Sequence, residues 1–295
     1  MSLDAVAQSL AFGILIGALY GVAAVGLSLV FGVLRVLNVA HGELLMLGGY
    51  FSFWLFALYG IDPFISLGAS VPALFVIGAV LHRGIFVHVV KLHEDVRIKN
   101  SLLIGFGLAL VLHNLAIRLW TADERAVTTD YAGATLSLFG VSLPYVRMGN
   151  LLFGLAVIIA LHLFLTRTYV GRSIRATAED WEAASLVGIN IDRTYLLAFA
   201  LGTALAGAAG ALVSVGYSIH PGIGLEWTLK ALVVIVLAGM GSVGGTFAGG
   251  VLLGAIESIS VYFVGGAYRE VVGLVMFLLV LLLRPQGLFG RNSRG

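Results

Sequence analysis

The sequence predicts an all-α, polytopic transmembrane helical bundle, and three observations predict it. The chain is 60% hydrophobic and only 11% charged, against about a quarter charged in an ordinary soluble domain. Its charges are bunched into short segments between apolar runs of about 17–25 residues, the length that crosses a bilayer. With no water in the hydrocarbon, each run must satisfy its own backbone, which selects helices. The expected count is about eight to nine spans, two of them broken or re-entrant, in a single membrane domain over residues 1–295.

The first apolar run, 6–33, is too long for a signal-peptide core and lacks a basic flank, so it is taken as a span. Further spans follow at 43–59, 63–81, 101–120, 149–166 and 194–217. A Gly-interrupted stretch covers 228–263, and a last span covers 269–283. Orientation follows the Lys and Arg of the short loops. Segment 82–100 carries Arg83, Lys91, Arg97 and Lys99; segment 167–193 carries Arg167, Arg172, Arg175 and Arg193; the tail carries Arg284, Arg291 and Arg294. Together they hold 11 of the 17 basic residues and are expected in the cytoplasm. Segment 121–148 and the turns 60–62 and 218–227 are expected outside. That assignment holds only if 228–263 passes twice or dips in and returns, and strict parity then puts the N-terminus outside.

Two interruptions stand apart from ordinary loops. Residues 35–43 place Arg35, Asn38, His41 and Glu43 between two apolar runs, and residues 239–245 place four glycines and Ser242 inside another. Matching breaks in the two halves of a transporter point to its substrate path, because irregular backbone at membrane depth needs protein or a wet cavity around it. The plain alternative is a pair of interfacial loops. Thirty-nine glycines further imply helices packed through small residues.

The composition also excludes chemistry. Cysteine is absent, the histidines have no metal-ligand spacing, and there is no GxxxxGK[ST] loop to cradle phosphates. No metal site and no cofactor is expected, and the chain is not read as an enzyme. Ser242 among its glycines suggests an intramembrane nucleophile, but no motif ties His113 or His162 to it as the required base; close helix crossing explains the glycines equally well.

The segment from Gly171 to Ile189 is read as a short helix lying across the membrane face. Ile174, Ala178 and Trp181 recur at helical spacing, acidic residues interrupt them at 179–182, and Gly188 ends the helix. A short amphipathic helix with both charge signs suits a groove on another protein; Arg172 and Arg175 suit lipid headgroups equally.

Glu182-Ala183-Ala184-x-x-x-Gly188 resembles the EAAxxxG signature of ABC-importer permeases. Residues 37–50, with Asn38-Val39-Ala40-His41-Gly42-Glu43, resemble the N-x-AHG-[DE] segment of branched-chain amino acid permeases. Lys230-Ala231 with the break at 239–245 resembles the same family's Gly-rich segment, and residues 283–290 resemble its RPxGLFG ending. These stretches span 37–290 in order, and the chain is similar to the LivH-type permease subunit. The family commonly has a second glycine where Ala238 stands, and often Asp where Glu43 stands. The resemblance implies a permease with a cytoplasmic coupling loop at about 167–193, where Arg172, Arg175, Glu182, Ala183, Ala184 and Gly188 meet an ATPase. It implies a LivM-type second permease, two LivG/LivF-type ATPases carrying the ATP and Mg, and a periplasmic substrate-binding protein. It implies inward transport of branched-chain or other hydrophobic amino acids across a bacterial inner membrane, with the C-terminus cytoplasmic.

The residues expected along the substrate path are Asn38, His41, Gly42, Glu43, Gly239, Gly241 and Ser242. His41 and Glu43 are alternatively expected to satisfy each other or to cap the next helix. Helix N-termini at 42–45 and 242–246 are candidate donors to a substrate carboxylate. Glu257 is expected to face protein, Glu226 and Lys230 to snorkel to the outer interface, and His82, His88 and His93 to be solvated. The competing functions are an ion-coupled secondary carrier using Glu43 and Glu257, and a permease for urea or short amides.

Overall fold

The computed structural model describes residues 3–138, 140–239, 241–284 and 286–289. Met240 of the Gly-rich break, and Pro285, Gly290, Arg291 and Arg294 of the tail, lie outside the described residues. Among the described residues, eight helices are long and apolar enough to cross a membrane. The chain is an all-α, multi-pass membrane bundle.

The helices are α1 (Leu3–Leu34), α2 (His41–Tyr59), α3 (Pro63–Leu81) and a short α4 (Val87–Val89) joined to α3 by a π-helical turn at His82–Phe86. α5 (Glu94–Trp120) is followed by a small hairpin, β1 (Thr135–Leu138) and β2 (Val141–Pro144). Then come α6 (Tyr145–Arg167), α7 (Tyr169–Glu179), α8 (Trp181–Leu186), α9 (Ile191–Gly216), α10 (Ile223–Ala238), α11 (Val243–Val264) and α12 (Arg269–Leu283). Side chains set several of the boundaries. Asp62, Thr168, Asp180, Asn190 and Ser242 each accept a backbone N–H of the helix they precede, satisfying donors that have no partner inside the helix.

α1 and α9 form the centre of the bundle, with 94% and 83% of their most apolar stretches buried, whereas α5, α6 and α12 lie at the periphery. The centre is possible because it is built from small residues. A methyl group at Gly17 of α1 would stand 2.6 Å from the Gly250 carbonyl of α11, and one at Gly13 would stand 2.6 Å from the Ala255 Cα. Glycines four apart on each helix bring the two backbones together, as close helix packing in lipid requires.

Contacts sort the loops into two faces. Gln8 exchanges two hydrogen bonds with the Ser142 backbone at 2.7 and 2.8 Å, the Tyr131 hydroxyl donates to Asp62 at 2.6 Å, and Arg125 pairs with Ile219 through both backbone groups. The start of α1, the turn at 60–62, segment 121–148 and the turn after α9 therefore share one face. The end of α1, the basic residues 91–97 and the α7–α8 segment line a common cleft on the other. α10 and α11 run antiparallel, because Ala238 meets Gly249 while Lys230 meets Glu257; the 228–263 stretch enters and returns.

Three expectations are corrected. The 171–189 segment is two helices, because Asp180 leaves helical geometry and its Oδ1 caps α8 through Glu182 and Ala183 N–H at 2.9 and 3.0 Å. His82 is buried against Phe199 because the helix continues beyond Leu81; His88 and His93 are exposed, as expected. Lys230 does not snorkel outward: its Nζ turns in to Glu257 Oε1 at 2.7 Å. Glu257 is fully buried, and a buried carboxylate needs paired charge. Arg269 at 3.2 Å and the Tyr20 hydroxyl at 3.1 Å complete its shell.

Candidate functional site

The first break begins where α1 closes. Arg35 takes a left-handed conformation, φ 54°, and the Arg97 guanidinium donates to the Leu34 carbonyl at 3.1 Å. Both devices finish a helix end. The chain then turns back alongside α1 in irregular form, and α2 does not start until His41. His41 Nε2 donates to the Ala23 carbonyl at 2.9 Å; since a carbonyl only accepts, Nε2 carries the hydrogen. Ala23 lies eleven residues before the end of α1, which at 1.5 Å per residue is about 16 Å of rise. The break therefore starts beside the basic-face cleft at Arg35 and reaches deep along α1 at His41.

Beyond the exposed Arg35, other helices wall it in. Asn38, His41 and Glu43 are buried. Asn38 Oδ1 accepts the Ala40 N–H at 3.2 Å, and its carbonyl accepts the His41 N–H at 3.1 Å. Leu37 N–H donates to Ser101 of α5 at 3.1 Å. The Gly42 N–H donates to Thr228 Oγ1 of α10 at 2.9 Å, and that hydroxyl faces the Gly224 and Val39 carbonyls at 3.0 and 3.2 Å. Gly42 and Gly224 cross so closely that a methyl group on Gly42 would overlap the Gly224 carbonyl.

Glu43 is the exception. It lies in the first turn of α2, where the helix dipole favours an acid, and its carboxyl group lies against the Gly224 backbone. Its Oε2 is buried with no hydrogen-bond partner among the described residues. His41 bonds to α1, so the two side chains do not satisfy each other. With the Gly42 N–H held by Thr228, the start of α2 is also not an open row of donors.

The second break is built differently. Gly239 and Gly241 have φ of 94° and 95°, the left-handed region that glycine adopts without steric cost. Ser242 Oγ accepts the Gly245 N–H at 3.1 Å, which assigns it as the cap of α11. The nucleophile reading is not supported: His113 bonds the Pro221 carbonyl on the opposite face, His162 is exposed on α6, and among the described residues neither is hydrogen-bonded to Ser242. Gly241 N–H approaches Ser28 Oγ at 3.4 Å, and Thr246 Oγ1 lies 2.9 Å from the same hydroxyl. Ala238, where the family commonly has a second glycine, sits against Gly249 and is fully buried.

Residues 287–289 then close the break from outside. The Leu288 and Phe289 N–H groups donate to the Leu237 and Ala238 carbonyls, both at 2.8 Å, and Gly287 packs on Gly239. The tail thus satisfies carbonyls that the end of α10 leaves free.

The structure therefore brings Asn38, His41, Gly42 and Glu43 into one buried cluster, and Gly239, Gly241 and Ser242 into a second group whose Gly241 is exposed. Both lie against the same stretch of α1, Ala23 to Gly32. Sequence reasoning missed Ser28, Gly224 and Thr228, which join the breaks to their surroundings. A hydroxyl inside an apolar run was the available signal, though many such groups merely bond their own helix.

The coupling-segment residues form a third group on the basic face. Arg172 and Arg175 are exposed on α7, whose Ile174 and Thr177 are buried. In α8, Ala184 is buried while Glu182 and Ala183 face out, and Gly188, φ 86°, ends the helix with its N–H on the Ser185 carbonyl. Trp181, Leu186 and Val187 are exposed by 49%, 88% and 78%.

Comparison with known proteins matches residues 9–281 to the model of a branched-chain amino acid transport system permease component. The chain is 33% identical over 294 residues to the high-affinity branched-chain amino acid transport system permease protein BraD of Pseudomonas aeruginosa, covering 96% of this chain and 95% of that one. It is 31% identical over 297 residues to the permease protein LivH of Escherichia coli K12, with the same coverage. A probable branched-chain amino acid transport permease protein LivH of Methanocaldococcus jannaschii is 27% identical, covering 90% of this chain and 87% of the relative.

Proposed function

Since the chain belongs to the branched-chain amino acid transport permease family, we propose that it is the membrane-spanning half of an ABC importer that moves branched-chain or other hydrophobic amino acids inward by ATP-driven alternating access. Hydrolysis of ATP, with its Mg, belongs to two partner ATPases. A sister permease and a periplasmic binding protein complete the assembly. By the positive-inside rule, the basic face that holds residues 91–97 and α7–α8 lies in the cytoplasm of a bacterial inner membrane, as does the C-terminus.

The observation that carries this reading is the α7–α8 segment. Three large apolar side chains, Trp181, Leu186 and Val187, stand exposed on a short capped helix, beside Arg172 and Arg175 on α7. Apolar anchors among charges are the pattern of a docking element. Motion imposed there reaches the breaks through α7, whose buried face packs on α1 and α9. Both breaks, in turn, rest on α1.

The test is purification from native membranes followed by uptake of labelled leucine into vesicles. Co-purifying ATPases and ATP-dependent uptake are expected. Leu186→Glu is expected to release the ATPases while leaving the permease folded. Uptake by this chain alone under an ion gradient would overturn the proposal. That second reading, an ion-coupled carrier, rests on one observation, the partnerless Glu43 carboxyl.

A further inference from the structure

A cavity of about 370 Å³ opens between α1, α6 and the end of α9, beside the hairpin. It lies on the face opposite the basic loops, away from both breaks. Its volume falls within the range of about 300–1,000 Å³ typical of small-molecule sites.

Two features of its wall call for an anionic group and a third, an unpaired amide oxygen, calls for a donor beside it. Arg147 lines it and has no acidic partner within ion-pair distance among the described residues; its guanidinium rests 4.5 Å over the Phe12 ring. The N-terminus of α6 opens onto it at Pro144, Val146 and Arg147, with no side-chain cap and no acid in its first turn. The Ala134 carbonyl takes its first N–H, of Tyr145, at 3.1 Å, and this 23-residue helix presents the N–H groups that follow and the positive end of its dipole. Asn150, one turn further on, also lines the cavity; it is 4% exposed and its Oδ1 has no hydrogen-bond partner among the described residues. Leu15, Ile16 and Leu19 form an apolar side along α1, and Tyr217 after α9 adds a phenol to the wall.

We infer that this cavity is an entry subsite for a zwitterionic amino acid with an apolar side chain. The carboxylate lies on Arg147 and the α6 N-terminus, the ammonium donates to Asn150 Oδ1, and the side chain lies on Leu15, Ile16 and Leu19. The inference rests on the proposed import of hydrophobic amino acids and adds where such a solute first meets this chain. A phospholipid headgroup offers the same anionic chemistry, and an ethanolamine headgroup adds an ammonium beside its phosphate, so competition by leucine is what distinguishes the two sources.

The test uses right-side-out membrane vesicles that hold the chain with its native companions. A diazirine-bearing leucine analogue is photolysed, and the labelled peptides are mapped by mass spectrometry. Label is expected on peptides containing residues 15–19 and 146–150. Leucine should displace it, and leucinamide, which lacks the carboxylate, should not. Arg147→Gln should lower the label by about tenfold or more, the scale of a lost charge-assisted bond, and Arg147→Lys should restore most of it. Label that leucine does not displace, label unchanged by Arg147→Gln in a folded protein, or displacement only of a photoactivatable anionic phospholipid from the same peptides would each overturn the site. Wild-type competition by leucine decides the matter even where the Gln variant fails to fold. ATP-driven leucine uptake by the same vesicles separates the two conclusions: uptake with label elsewhere sinks the subsite alone, and label here without uptake sinks the proposed function alone.

Discussion

The two breaks lie against one helix, yet they are held by opposite means. Residues 38–43 are enclosed by the chain's own helices, and the first break is secured by the Ala23 carbonyl of α1 and by the hydroxyls of Ser101 on α5 and Thr228 on α10. Residues 239–242 are secured by backbone conformation and by the backbone hydrogen bonds that residues 288 and 289 make to the end of α10 just before them, and Gly241 and Gly244 are exposed. The first break is thus specified by which polar groups face each other, and the second by where a Cβ is absent. Substitutions should separate them. At the first break, altering a partner group is costly; at the second, the cost depends on φ.

The largest effect is expected where the first break also has no room. Gly42→Ala drives a methyl group into the Gly224 carbonyl, and overpacking of this kind costs about 1–3 kcal/mol or more. Thermal unfolding in detergent should show a strongly destabilised protein, and normal stability would mean that α2 and α10 cross less closely. Thr228→Val comes next. It strands the Gly42 N–H in a buried site, for about 1–3 kcal/mol, while Thr228→Ser should recover most of the loss. At the second break, Gly241→Ala meets no steric block beyond Gly32 but must hold φ near 95°, at about 1–2 kcal/mol. Gly244→Ala, in helical geometry with open space around its Cα, is the matched control and should be close to neutral. A control as damaging as Gly241→Ala would remove backbone conformation as the distinguishing cause. The smallest effect on stability is expected from Glu43→Gln, which breaks no hydrogen bond. Its expected signature is reduced uptake at unchanged assembly, and full uptake would remove Glu43 from the path.

Much of this was legible in the sequence, and the reasons are physical. Membrane spans announce themselves because lipid tolerates little else, and both breaks were visible as polar or glycine-rich interruptions of apolar runs. The role of Gly188 followed from the left-handed cap that ends α8. What stayed hidden depends on which way a side chain turns. Lys230 was expected to reach for water because its own surroundings are apolar, but Glu257, 27 residues away, redirects it. His82 was assigned to a loop because basic residues follow it, whereas the helix carries on as a π-turn and buries the ring on Phe199. Asp180 was counted as one acid in a charged run, and its geometry splits the segment instead. Thr228 carries no pattern at all: its hydroxyl matters because a residue 186 positions earlier presents an N–H to it.

The clasp of residues 288 and 289 on the end of α10 also bears on how the molecule is made. Translation delivers α10 long before residues 287–289, with the whole of α11 and α12 in between. Until the ribosome has passed them and both later helices have inserted, the carbonyls of Leu237 and Ala238 lack those donors in a medium that offers few others. The second break is thus among the late parts of the chain to be completed, and a permease arrested after α12 would carry all of its spans and still lack this closure.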